Sequence, residues 1–180
     1  MVFDDSAARG SAIPTPSEGM VTYLKSDESV ELFNGASFVP FGGKILQVVR
    51  ATDSTQRATT STSFVDVTGM SVTISPKKSD SNLLIVASFR GQNSGGSNSI
   101  RNAFFQLTTS ANAAISGAEE GTIGGGVIAL IESSLTLIGY ETPGTTSAVT
   151  YKLRFRSTGE TVRCQNNSQI GQIYAIEVAS

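Results

Sequence analysis

AVTYKLRFRS, residues 148–157, decides the fold. Val149, Tyr151, Leu153 and Phe155 fall on one side of an extended chain, and Thr150, Lys152, Arg154 and Arg156 fall on the other. Strict alternation at period two is the pattern of a half-buried strand; wound as a helix, the same residues would scatter around the axis. One face reads as core and the other as solvated. A basic ladder of Lys152, Arg154 and Arg156 for a sulfated or phosphorylated ligand is the competing reading. It is the weaker one, because charge on an outer sheet face ordinarily serves solubility.

Working outward, similar runs recur between Gly, Ser, Asn and Pro breaks from residue 44 to the end. They are ILQVVRA (45–51), SFVDV (63–67), MSVTIS (70–75), LLIVASFR (83–90), IRNAFFQLTT (100–109), VIALIESSLTLIGY (127–140), TVRCQ (161–165) and QIYAIEVA (172–179). No convincing helix appears in this region, apart from a single turn that the small residues of 110–118 would allow. Eight or nine short strands at this spacing make a two-sheet sandwich, and their number and length favour a jelly roll.

Upstream, residues 1–43 form a separate region. IPTPSEG (13–19) has two prolines in three residues, which impose an extended, unpaired course, so residues 1–18 read as an arm and not a helix. MVTYL (20–24), VELF (30–33) and SFVPF (37–41) then read as a three-stranded meander, with Asn34-Gly35 as hairpin signal and Pro40 confining its strand to an edge. The fold class expected is all-β: a jelly-roll β-sandwich over 44–180, preceded by an extended arm and a small three-stranded meander over 1–43.

Three sandwich strands are apolar on both faces. Leu84 and Val86 lie opposite Leu83, Ile85, Ala87 and Phe89; Ile100 and Phe104 lie opposite Phe105 and Leu107; Ile128, Leu130 and Ile138 lie opposite Val127, Ala129, Ile131, Leu135 and Leu137. A two-sheet sandwich covers only one face of each sheet. A second cover is therefore expected, and copies of the same chain closing around a three-fold axis would supply it. Ile100, Phe104, Ile128, Leu130 and Ile138 are the candidate interface residues of a homotrimer. The meander is the rival cover, but its apolar face (Val21, Tyr23, Phe33, Phe38) is small.

Composition narrows the chemistry. The 180 residues carry 13 Lys+Arg, 15 Asp+Glu and no His, with a pI near 5.1. That excludes a histidine-based triad or His-ligated metal and argues against a basic nucleic-acid-binding stripe. Cys164 is the only cysteine, so no intramolecular disulfide or thiolate cluster can form, and it reads as a buried strand residue. The absence of Trp leaves little for base stacking. No apolar run reaches the ~18 residues of a membrane helix, and MVFDDSAARG is no secretory signal. Ser and Thr supply about a quarter of the chain, a composition suited to the outside of a cell. A virion protein released by lysis would combine that composition with the lack of an export signal.

Three stretches carry residues of site-forming types. Glu119-Glu120 resembles a carboxylate pair, but glycoside hydrolysis needs carboxyls ~5–9 Å apart across one bond, usually from different strands. GTIGGG (121–126) lacks the Lys-Ser/Thr of a phosphate loop and reads as a flexible connector. GQNSGGSNS (91–99) offers amides and hydroxyls that could hydrogen-bond sugars. Asp27, Asp66 and Asp80 lack calcium-loop spacing. No enzymatic activity, metal or cofactor is expected.

Residues 9–24, RGSAIPTPSEGMVTYL, followed by ELFNGASF (31–38), resemble a segment common in minor tail proteins of tailed bacteriophages. There an Ile-Pro-x-Pro arm leads to a Gly-Met-Val-x-Tyr-Leu strand, an acidic turn and an Asx-Gly hairpin; family members often have Trp where this chain has Phe38. The remainder, closing on IYAIEV (173–178), is similar in layout to the TNF/C1q-like jelly rolls that end many phage fibres. The resemblance implies a trimeric virion structural protein attached through its N-terminus; it does not by itself separate tail from head, and the expected location is the particle exterior, on the tail more than on the head. Its partners would be other virion proteins, held through Ile13, Pro14, Pro16, Met20 and Tyr23, and host surface glycan; neither nucleic acid nor membrane insertion is implied. A capsid decoration or head-fibre protein is the alternative.

Overall fold

The structure is a computed structural model describing residues 1–41, 44–94, 102–124 and 130–180. Of the described residues 57% are strand and 4% helix, so the regular structure is nearly all β. Its internal contacts divide it into two compact units, Met1–Lys44 and Ile45–Ser180.

The first unit holds β1 (Val2–Phe3), α1 (Ser6–Ala12), β2 (Val21–Leu24), β3 (Ser29–Phe33) and β4 (Phe38–Pro40). The strands form one sheet in chain order, with β1 parallel to β2 and the others antiparallel. The meander thus gains a fourth strand, and part of the arm is helical, which corrects the reading of 1–18 as wholly extended. Asp5 caps the helix by accepting a hydrogen bond from the Ala8 amide at 2.8 Å. Arg9 ties it to the sheet, pairing with Glu31 and lying 4.0 Å from the Phe38 ring centroid. The helix ends at Ile13, just before the prolines.

The second unit comprises β5 (Ile45–Asp53), β6 (Gln56–Thr59), β7 (Val65–Ile74), β8 (Asn82–Asn93), β9 (Asn102–Thr109), β10 (Gly121–Gly124), β11 (Ile131–Glu141), β12 (Val149–Ser157), β13 (Val162–Gln165) and β14 (Gly171–Val178). One sheet runs β10-β9-β12-β7. In the other, β14 and β13 lie in succession along one edge of β8, opposite residues 82–88 and 91–93. Strands β5 and β6 flank β14 and β13 in the same way, and β11 takes the other edge of β8. Both layers are therefore four strands wide. The chain switches sheets at every step except the β9–β10 hairpin and the in-line steps β5–β6 and β13–β14. That ordering is a jelly roll.

Alternation fills the space between the layers. Leu83, Ile85, Ala87 and Phe89 of β8 face Ala103, Phe105 and Leu107 of β9 and Tyr151, Leu153 and Phe155 of β12, all buried. Phe105 lies at the centre, its ring centroid 4.8 Å from Phe89 and 6.3 Å from Phe155. Cys164 is buried on β13. Gly91 is forced by this packing, because a Cβ there would stand 2.6 Å from Ile123 Cδ1. SFVDV and MSVTIS prove to be parts of one strand, β7, joined through Gly69 at φ +94°. GTIG, expected to be a connector, is strand β10 paired with β9. Residues 110–118 make no helical turn; they fold back through the isolated bridges Thr108–Ala114 and Ser116–Tyr140.

Candidate functional site: the outer sheet faces

Because residues opposite one another in a ladder share a face, the registers assign every outward side chain. On the sheet containing β8, two rows cross four strands. One row is Val48, Ile176, Leu84 and Tyr140; the next is Arg50, Tyr174, Val86 and Ile138. Seven of these eight residues are large and apolar or aromatic. Val48, Ile138 and Tyr140 are 54%, 52% and 52% exposed, and the other four are half-buried. Arg50 lies 5.8 Å from the Tyr174 ring centroid, and Tyr174 donates to Gln172 Oε1 at 2.6 Å.

Further along the same sheet the outer face turns polar. Glu132 accepts hydrogen bonds from Arg90, from Gln92 at 2.5 Å and from Gln165 at 3.0 Å, while Arg163 donates to Gln92 Oε1 at 2.8 Å. Burial alone would raise the Glu132 carboxyl; these donors, with the Arg90 charge, hold it below the usual glutamate value. The outer face of this sheet therefore carries an apolar block toward one end of β8 and a hydrogen-bonded polar group toward the other.

The opposite sheet presents a different surface. Lys152 and Arg154 both donate to Asp66, at 2.8 and 3.0 Å. Partial burial would raise the Asp66 carboxyl, but the two cations outweigh it and lower it. Arg156 donates to Glu120 at 3.0 Å and covers Phe104, its guanidinium 3.9 Å from the ring centroid. Each cation of the basic ladder is thus paired with an acidic neighbour, Lys152 and Arg154 sharing Asp66.

The structure separates the residues that the sequence grouped as one interface. Ile138 lies in the apolar block, and Leu130, 58% exposed, directly precedes β11. Phe104 lies on the outer face of the other sheet, beneath Arg156, so it does not share a patch with Ile138. Ile100 and Ile128 fall outside the described residues. Val48, Tyr140, Tyr174 and Ile176 were missed, although the alternation of QIYAIEVA marks Tyr174 and Ile176 as facing away from Ile173 and Ala175. Of the residues expected to make the attachment, Pro14 is exposed, while Ile13, Pro16, Met20 and Tyr23 are half-buried. Glu120 pairs with Arg156 rather than forming a carboxylate dyad with Glu119. Gly91, Gln92 and Asn93 of the Gly/Asn/Ser stretch are strand residues of β8, and 95–99 lie outside the described residues. Among the described residues no cluster of His, Cys, Asp or Glu could hold a metal ion, and no helix is long and apolar enough to cross a membrane.

No family model matches the chain, and no curated protein matches it. Solved structures of infectious bursal disease virus are similar to it. The Gt strain structure matches at a TM-score of 0.40 with 9% identity, covering 99% of this chain and 54% of that one. The VP2 subviral particle matches at 0.41 with 10% identity, covering 92% and 41%. The chain spans about half the length of the solved chains it matches.

Proposed function

We propose that this chain is a non-enzymatic structural protein of the virion exterior of a tailed bacteriophage. In this reading it is a homotrimeric, tail-associated appendage attached through its N-terminal unit, with exposed loops that meet glycan on the host surface. The observation that carries the reading is the contrast between the two outer faces of the jelly roll. One is charged, with its cations paired to acidic neighbours, as a solvated face should be. The other places seven apolar or aromatic side chains in two adjacent rows.

A patch of that kind covers several hundred Å2, large for the surface of a monomer. At roughly 25 cal/mol per Å2 its burial contributes several kcal/mol before the entropy of association is subtracted. Closing three such faces around an axis uses one face per chain and stops there, so it does not propagate into filaments. Tyr140, Tyr174 and Arg50 are of the residue types that dominate binding energy in such contacts. The N-terminal resemblance supports attachment through the first unit. Any grip on the host would come from polar loop groups multiplied by three copies rather than from one strong site.

A reconstruction of intact virions is the direct test. Three-lobed density of this size projecting from the tail is expected. The same density on the capsid would favour the decoration or head-fibre alternative, and its absence from the particle would overturn the reading.

A further inference from the structure

The Met1–Lys44 unit carries an apolar sheet face of its own. Two rows cross its sheet: Val2, Tyr23 and Val30, and beside them Val21, Leu32 and Val39. None of the six is charged, and the Tyr23 hydroxyl is their one polar side-chain group. Val2, Val21 and Val30 are 60%, 48% and 38% exposed; the other three are half-buried. The opposite face differs. There Thr22, Leu24 and Glu31 are buried, and Arg9 of α1 closes over Glu31 and Phe38.

The edges of this sheet do not invite an added strand. β1 has only two residues and β4 carries Pro40, so neither presents a long run of free backbone groups. The face is the available contact. Its apolar area is on the order of 300–400 Å2. Stable complexes bury about 800 Å2 per partner, so this face cannot hold a freely diffusing partner tightly.

It can hold a partner that is brought to it. The first unit ends at Lys44 and the jelly roll begins at Ile45, so each copy gathered by the jelly roll brings its own first unit with it in the same chain. Tethering of that kind gives effective concentrations on the order of millimolar. The faces also match in chemistry, since no charge on either side must be stripped of water.

We propose that the Val2, Val21, Tyr23, Val30, Leu32, Val39 face packs against the same face of further copies of this chain once their jelly rolls have associated. The inference rests on the self-association proposed above.

Val30→Cys in the full chain tests it, with a short bifunctional maleimide as the probe. Cys164 stays silent, being buried with its thiol pushed up to about 12. Sedimentation of the same sample reports the jelly-roll assembly independently. Most Val30→Cys chains should be linked in covalent pairs, against few for Asp27→Cys in the exposed β2–β3 turn. Adding Ile138→Glu should reduce the Val30→Cys yield to the Asp27→Cys level. Val21→Cys, in the neighbouring row, repeats the measurement, so that one badly placed thiol does not decide it. A sample that sediments as a trimer, yet links no better through Val30→Cys or Val21→Cys than through Asp27→Cys, overturns this pairing and leaves the trimer standing. A sample that sediments as a monomer overturns both.

Discussion

Glu177 shows how one residue can hold a loop. It sits at the end of β14, fully buried, and its carboxylate accepts from Gln47 Nε2 at 2.6 Å, from Ser81 Oγ at 2.6 Å and from the amides of Lys77 and Lys78 at 2.8 and 3.2 Å. Burial alone would raise this carboxyl, but the Ser81, Lys77, Gln47 and Lys78 donors outweigh it and lower it. The folded value therefore lies below the unfolded one. The stabilisation is complete above the ordinary glutamate value, near 4.3, and drains away as the pH falls through the folded value. Glu177→Gln keeps the shape but removes the charge and replaces one of the two accepting oxygens with an NH2 donor that faces other donors. It should cost about 1–3 kcal/mol at neutral pH and flatten the acid limb of the stability curve. Urea titrations of both proteins between neutral and acid pH check this; an unchanged acid limb would contradict it.

At the scale of the element, β7 is the informative case. Gly69 lies at φ +94°, and a Cβ there would stand 2.7 Å from Asp53 Oδ1. Backbone and space both demand glycine, so Gly69→Ala should destabilise the jelly roll by about 1–3 kcal/mol. Thermal unfolding measures this, and a variant as stable as the parent would show that the strand bends freely there. The same glycine explains why sequence reading cut β7 in two: Gly normally punctuates strands, and only the partner strand β12 reveals that the ladder resumes beyond it. β10 was hidden because GTIG has a single apolar side chain, Ile123, and owes its conformation to the ladder with β9. α1 was hidden because SAARGSA has no apolar stripe; Asp5 and Arg9 hold it instead. Strands with clean alternation, β12 above all, were legible with their faces.

For the whole molecule, alternation tells which residues leave the core but not which strands lie side by side. Phe104 and Ile138 both point outward, as the sequence indicated. The jelly-roll order then places them on opposite sheets, one under Arg156 and the other in the apolar block. The strands of that block come from three distant parts of the chain, 48–50, 84–86 and 138–140, together with the C-terminal strand. No local pattern could have assembled it. In the proposed assembly the charged face stays in solvent and the apolar face meets further copies of the chain.

Sedimentation of the purified full chain at micromolar concentration tests that claim most directly, with Ile138→Glu and Phe104→Glu run beside it. The wild type should sediment at three times 18.8 kDa. Ile138→Glu should sediment as a folded monomer, and Phe104→Glu should remain a trimer because it alters only the solvated sheet. A monomeric wild type, or a trimer that survives Ile138→Glu and fails with Phe104→Glu, would contradict the assignment of the self-association face.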